Sequence, residues 1–381
     1  MRNFLIILLV ICLGMGITVR VRYGGGEPYS DLTTSPLLSN DQLESSLDYP
    51  EPIGSVAVSD DGRVFFTVHP ESRPEGNRLL EWVSNAAVPY PSGTVQPHLF
   101  DTVLGITIDR HKRLWSIDHG SQGFGEPRLL AFDIRTGDLV HDYKFRSDIA
   151  PIGSFLQNVN VTADGRYVII SDSSILRKNP ALIVYEVASR RARRVLEAHE
   201  SVSAENFVVQ NSIKNLSFFG GIFTLKGGVN GVAIDAKNEW LYFAAMNNSG
   251  LFRVGIEHLV DAVLPASELQ QKVERYSDKP LSDGLGTDLD GNIYVTDVEH
   301  NAVMVVGKDR QPLTLLRTPN IRWASAIFFG PKGYLYIADS ALPELVLETK
   351  DHITKQGPFS IYRIDTGHPG RLDRRKTKVY N

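Results

Sequence analysis

The sequence predicts an all-β fold, a six-bladed β-propeller with four-stranded blades around a central channel. Three observations carry it. Six segments share one register. The same turn position recurs in each of them. No run of helical periodicity separates the strands, which argues against a doubly wound α/β sheet.

The segments begin at Gly54, Leu104, Gln157, Asn230, Asp283 and Ser325. Each runs as an alternating apolar strand, a tight turn and a second strand, as in "GSVAVSDDGRVFFTVH" and "DGLGTDLDGNIYVTDV". Eight positions after each start stands the turn residue: Gly62, Lys112, Gly165, Asn238, Gly291 and Gly333. Glycine and asparagine tolerate the left-handed backbone of a tight hairpin, so five of these six fit on residue type alone. A further hairpin follows most units, for example "RLLAFDIRTGDLVHDYKF" over 128–145, giving about four strands per unit. Intervals between starts are 50, 53, 73, 53 and 42 residues, near the range of propeller blades. A β-sandwich would not impose a common register.

Taken in chain order, residues 1–22 read as a signal peptide or membrane anchor. Arg2 is followed by "FLIILLVICLGMGITV", sixteen residues without a charge, and then by Arg20 and Arg22. Either reading predicts a chain that is exported: secreted, periplasmic or anchored through this segment. "LVIC" before Cys12 is a weak lipoprotein-type match. Residues 23–50 read as a spacer, 51–367 as the propeller, and 368–381 as a basic tail. The 73-residue interval carries an insertion over about 198–228, either a lid or an elaborated loop. Helix is expected only as a short loop element near 256–274. "FSIYRIDT", Phe359 to Thr366, is expected as an outer strand of the last blade, with a strand from before Gly54 recruited to close the ring.

Composition narrows the function. Hydrophobic residues make up 42% and charged residues 22% of 381, enough for a packed core. Net charge is −4 with no long basic run, which argues against nucleic acid as a partner. The single cysteine, Cys12, excludes an intrachain disulfide and a cysteine-based zinc site. No G-x-S-x-G, P-loop, H-E-x-x-H or dinucleotide fingerprint occurs.

In a propeller the first residue of each repeat faces a shared funnel, so Gln157, Asn230, Asp283 and Ser325 are candidate ligand contacts. Asp283 and Asn230 stand out because their types are not repeated around the ring, and convergent oxygens there are candidate ligands for Ca²⁺ or Zn²⁺. The ends of the second strands form an outer ring, with His69, Asp118, His119, Asp172, Asp297, His300 and Asp339. The four recurring aspartates read first as acceptors for loop backbone N–H groups, with Asp118 also a ligand-contact candidate. His119 and His300 are candidate acid–base groups. Trp115, Trp240 and Trp323 read as packing between blades.

Several segments together resemble the major royal jelly/yellow protein family: "FLQNVNVTADGRYVIISDSS" with "ALIVYEVASRRARRVLEAH", "GGVNGVAIDAKNEWLYFAAMNNSGLFRV" and "IRWASAIFFGPKGYLYIADSAL". Glu186 stands for that family's usual Asp, and Ala192-Arg193 for its usual Ser-Trp. The likeness spans about Pro52 to Leu342. It implies a six-bladed propeller, export, and either binding of a small polar or aromatic molecule such as an amine or a tautomerase-type activity on dopachrome. The family's disulfide cysteines are absent, which makes this chain similar to its bacterial relatives. "VNGVAID" and "SDGLGTDLDGNIYV" also resemble the metal-ligand segments of the senescence marker protein/gluconolactonase family, so that Asn230 and Asp283 match two ligands; Ile53 stands where that family has its ligating glutamate. This second resemblance implies a metal-dependent lactonase. A protein-interaction scaffold is the third reading. No cofactor is required by the sequence, and oligomeric state is not written in it.

Overall fold

A computed structural model describes residues 2–370, the side chains at 2, 3 and 5–13 excepted. Six antiparallel four-stranded sheets form a six-bladed propeller. The innermost strands are Ile53–Val58, Val103–Ile108, Leu156–Val161, Val229–Ile234, Leu285–Thr287 and Ala324–Phe329. Five blades are built in chain order. The sixth is completed out of order: Glu44–Tyr49 pairs with Phe359–Asp365 and becomes its outermost strand. The ring is thus closed by hydrogen bonds between the two ends of the domain. The stretch 23–50, expected as a spacer, contributes this closing strand and also lies along the propeller, with Leu37 N–H and Leu38 N–H donating to the carbonyls of Thr314 and Leu315.

The turn positions expected to be left-handed all have positive φ: 90° at Gly62, 61° at Lys112, 71° at Gly165, 62° at Asn238, 89° at Gly291 and 78° at Gly333. Lys112 takes this conformation without glycine's freedom, with its N–H donating to the Asp109 carbonyl and its side chain ion-paired to Asp60. Neighbouring blades bury apolar faces against each other. One such layer contains Trp115, Ile117, Leu156, Ile170 and Tyr185, from the second and third blades.

Three of the four recurring aspartates at second-strand ends tie down the strand entries, while Asp297 accepts from the N–H groups of Glu299 and His300 just after its own strand. Asp118 accepts from the N–H groups of Asp101 and Gly120 at 2.7 and 2.8 Å, Asp172 from Phe155 at 2.8 Å, and Asp339 from Trp323 at 2.7 Å. Each of these three carboxylates therefore fixes the loop through which the chain enters an inner strand. Two short helices, Ile256–Val260 and Ala266–Gln271, occupy the region where loop helix was expected.

Arg2–Tyr23 is helical, and its last residues meet the propeller. Among the described residues no helix is long and apolar enough to cross a membrane. Most of the apolar segment expected as a signal or anchor has side chains outside the described residues. The expected basic tail likewise falls outside them from 371 onward.

Candidate functional site

At the end of the propeller where the inner strands begin, a cavity of about 210 Å³ opens. Gln157, Asn230 and Asp283 line it, from the third, fourth and fifth blades. These residues are 73 and 53 positions apart in the chain, and the common register of the repeats brings them together.

Asp283 is 2% exposed. Trp323 donates its indole N–H to Oδ2 at 2.6 Å. Oδ1 receives the Nδ2 amides of Asn230, in a short bond, and the Nε2 amide of Gln157 at 3.3 Å. Its own backbone N–H and that of Gly284 donate to the Thr296 hydroxyl, which fixes the start of the strand. Burial pushes the carboxyl up to about 7, against the Trp323 and Asn230 bonds, which favour the charged form. It can therefore hold or release a proton near neutral pH. Asn230 spends its amide N–H on Asp283, and its buried Oδ1 has no partner among the described residues.

The other wall is set by the first blade. His69 and Glu71 sit in the loop after its second strand and line the same cavity. The Glu71 N–H donates to Nδ1 of His69 at 3.2 Å, so a neutral His69 carries its proton on Nε2. Burial pushes His69 down to about 4 and raises the Glu71 carboxyl. Gln122 also lines the cavity, and its buried Oε1 has no partner among the described residues. Apart from Ser173, the rest of the lining is apolar, with Phe155, Leu176, Met246 and Leu342. The insertion adds to it: Ser217–Phe218 pairs with Phe223–Thr224, and Phe223 and Leu225 reach the cavity. The insertion thus forms part of the funnel's wall.

Not every expected residue is here. Ser325 donates from Oγ to the Ile53 carbonyl at 3.2 Å and is outside the lining. Asp118 is also outside it, with both oxygens engaged by backbone N–H groups. His119 stacks on Phe155 at 4.5 Å between ring centroids and borders an adjoining hollow. Its Nδ1 accepts from Gln122 N–H at 2.9 Å, and burial pushes it down to about 3, so it is neutral at physiological pH. His300 lies away from the funnel, ion-paired with Asp297 at 2.9 Å, which raises its pKa. Trp323, expected as packing alone, is buried in a core layer and also acts as a donor to Asp283. Sequence reasoning missed the funnel roles of Glu71, Gln122 and Phe223.

The donor set does not fit a Ca²⁺ or Zn²⁺ centre. Both oxygens of Asp283 face N–H donors, and Asn230 turns its amide nitrogen toward the carboxylate. Among the described residues no group of three His, Cys, Asp or Glu side chains could hold a metal ion.

The family model described as major royal jelly protein matches residues 101–315. Major royal jelly protein 3 of Apis mellifera is 26% identical over 160 residues, covering 40% of this chain and 28% of the relative. Major royal jelly protein 9 of the same organism is 25% identical over 180 residues, covering 44% and 40%. The chain thus spans less than half the length of these relatives. Among solved structures, a gluconolactonase from Xanthomonas campestris superposes with a TM-score of 0.53 at 14% identity, covering 86% of this chain and 89% of the other. A luciferin-regenerating enzyme gives 0.56 at 11% identity, covering 86% and 96%. The calcium-binding protein regucalcin from Agrobacterium tumefaciens gives 0.53 at 14% identity, covering 87% and 97%. At these identities the structural likeness is one of fold.

Proposed function

The chain belongs to the major royal jelly protein family, and from that premise we propose that its funnel binds a small molecule with an apolar, aromatic-sized body and an amino group. The observation that carries this reading is the polarity of the lining. It holds two carboxyl groups, Asp283 and Glu71, two buried amide oxygens without a partner, on Asn230 and Gln122, and no lysine or arginine among the described residues. A buried acceptor without a donor is costly, so the site favours a ligand that brings N–H groups and positive charge. Phe155, Leu176, Phe223 and Met246 supply the apolar contact for the rest of the molecule.

The test uses matched ligands. Titrate the protein with tryptamine and with indole-3-acetate, following heat or tryptophan fluorescence. The amine binds and the acid does not; Asp283→Asn weakens the amine by about tenfold or more, the scale of losing a nearby opposite charge in a buried site. Equal binding of both, or tighter binding of the acid, refutes the reading.

Raised proton affinity on both Asp283 and Glu71 favours a second reading, in which Asp283 moves a proton on the bound molecule as a tautomerase would. Dopachrome conversion that is lost in Asp283→Asn supports it. No conversion by the unmodified protein leaves binding alone.

A further inference from the structure

Loops at the funnel end carry large apolar side chains exposed to solvent. Phe124 is 71% exposed, Ile152 64%, Phe219 71% and Leu347 62%, with Leu176 and Ile222 exposed beside them. Their places in the chain fix the face. Phe124, Leu176 and Leu347 follow the second strands of blades two, three and six; Ile152 precedes an inner strand; Phe219 and Ile222 form the tip of the insertion hairpin. All these connections lie at the end where the inner strands begin.

The N-terminal helix ends on this same face. Arg22 donates to the Arg177 carbonyl at 2.9 Å, and the Tyr23 hydroxyl to the Leu176 carbonyl at 2.8 Å. Gly25 N–H donates to the Gly221 carbonyl at 3.2 Å, and the Tyr23 ring lies 6.2 Å from that of Phe223. Upstream, Met15, Ile17, Val19 and Val21 are exposed, so the apolar surface continues from the loops onto the helix. Around this junction stand Arg20, Arg22, Lys178 and Lys226, none of which forms an ion pair among the described residues. Three of the acids at this end are held by other cations: Glu197 by Arg177 and Arg194, Glu126 by Lys144, Glu348 by Lys214. Burial first, and then the charges of Lys226 and Arg22, push Lys178 down to about 8.

From this apolar rim with its unpaired cations, we infer that the funnel face docks on an anionic phospholipid bilayer. Phe124, Ile152, Phe219, Ile222 and Leu347 enter the headgroup region, and Arg20 and Arg22 meet the phosphates. The funnel then opens toward the membrane, and its apolar walls become continuous with the lipid phase. This goes beyond the binding reading and does not depend on which molecule occupies the cavity.

Since the helix alone could hold the chain on lipid, the test must read which face touches it. In a Cys12→Ser background of the full chain, place a bimane label at Phe124→Cys, at Phe219→Cys and, on the opposite end of the propeller, at Val263→Cys, which is 87% exposed between the third and fourth strands of blade four. Bind each to vesicles of equal parts phosphatidylglycerol and phosphatidylcholine that carry doxyl-labelled lipid. The labels at 124 and 219 are quenched and the label at 263 is not. Binding falls by about tenfold or more on vesicles of phosphatidylcholine alone or in high salt. Failure to bind, equal quenching at all three sites, or no quenching at 124 and 219 in bound protein overturns the proposal. So does a lipid-independent dimer in which the 124 and 219 labels are shielded, since the face is then a contact between copies.

Discussion

Trp323 donates its indole N–H to Asp283 at 2.6 Å, from the entry of the sixth blade to the entry of the fifth. This bond gives the buried carboxyl a fixed direction and ties its protonation to the contact between two blades. Burial wins over the bonds that favour the charged form, since the group titrates near 7 and not near its ordinary 3.8.

The first prediction follows from that balance. Asp283 binds its proton more tightly in the folded chain than in the unfolded one. Between its two pKa values the folded state holds more protons, so stability falls as pH rises from about 4 through about 7. The slope from this one group is on the order of 1 kcal/mol per pH unit. Asp283→Asn removes it. Denaturant unfolding of both proteins between pH 5 and pH 8 shows a stability difference that grows in favour of the variant as pH rises. A difference independent of pH shows that Asp283 is ionised throughout.

The same titration sets the pH dependence of ligand binding. An ammonium ligand prefers the ionised carboxylate, and ionisation is completed as pH rises through about 7. Tryptamine affinity therefore rises by about tenfold between pH 6 and pH 8, as the ionised fraction does. Neutral indole shows no such rise. Calorimetric titration at several pH values checks both, and the slope disappears in Asp283→Asn. A fall in amine affinity over this range contradicts the assigned role.

These residues differ in how openly the sequence announces them. Gly62, Gly165, Asn238, Gly291 and Gly333 are legible because a left-handed backbone restricts residue type and the restriction repeats at one offset. Lys112 is found only through that offset. Asn230 and Asp283 stand out by breaking the repeat, and the ring geometry then joins them. Glu71 and Gln122 carry no such mark. Each sits in an irregular loop after a second strand, where tertiary contacts and not periodicity set the conformation. Gln122 even has a left-handed φ of 59°. Trp323 looks like packing because its partner is 40 positions away in another blade. His300 reads as a free base until Asp297 is seen beside it at 2.9 Å. The closing strand Glu44–Tyr49 was expected in kind, as a strand from before Gly54, but its place is set by pairing with Phe359–Asp365 some 300 residues later.

The last prediction concerns the wall of the funnel. Arg194 is almost fully buried and reaches Asp172 at 2.8 Å, the Ile149 carbonyl at 2.8 Å and the Asn179 carbonyl at 2.9 Å. Asp172 is wholly buried and holds the Phe155 N–H at 2.8 Å, which places the Phe155 ring in the cavity lining. Arg194→Met retains most of the apolar stem but leaves a buried carboxylate without its cation and two carbonyls without donors. Breaking one side of such a pair costs roughly 3–5 kcal/mol, far more than an exposed pair contributes. In urea the midpoint drops accordingly, and amine affinity drops with it as Phe155 loses its anchor. Asp172→Asn combined with Arg194→Met removes the uncompensated charge while keeping an acceptor for Phe155 N–H, so the double variant is more stable than Arg194→Met alone. A loss below about 1 kcal/mol in Arg194→Met, the range of surface pairs, shows that water reaches the pair and that the wall does not rest on it.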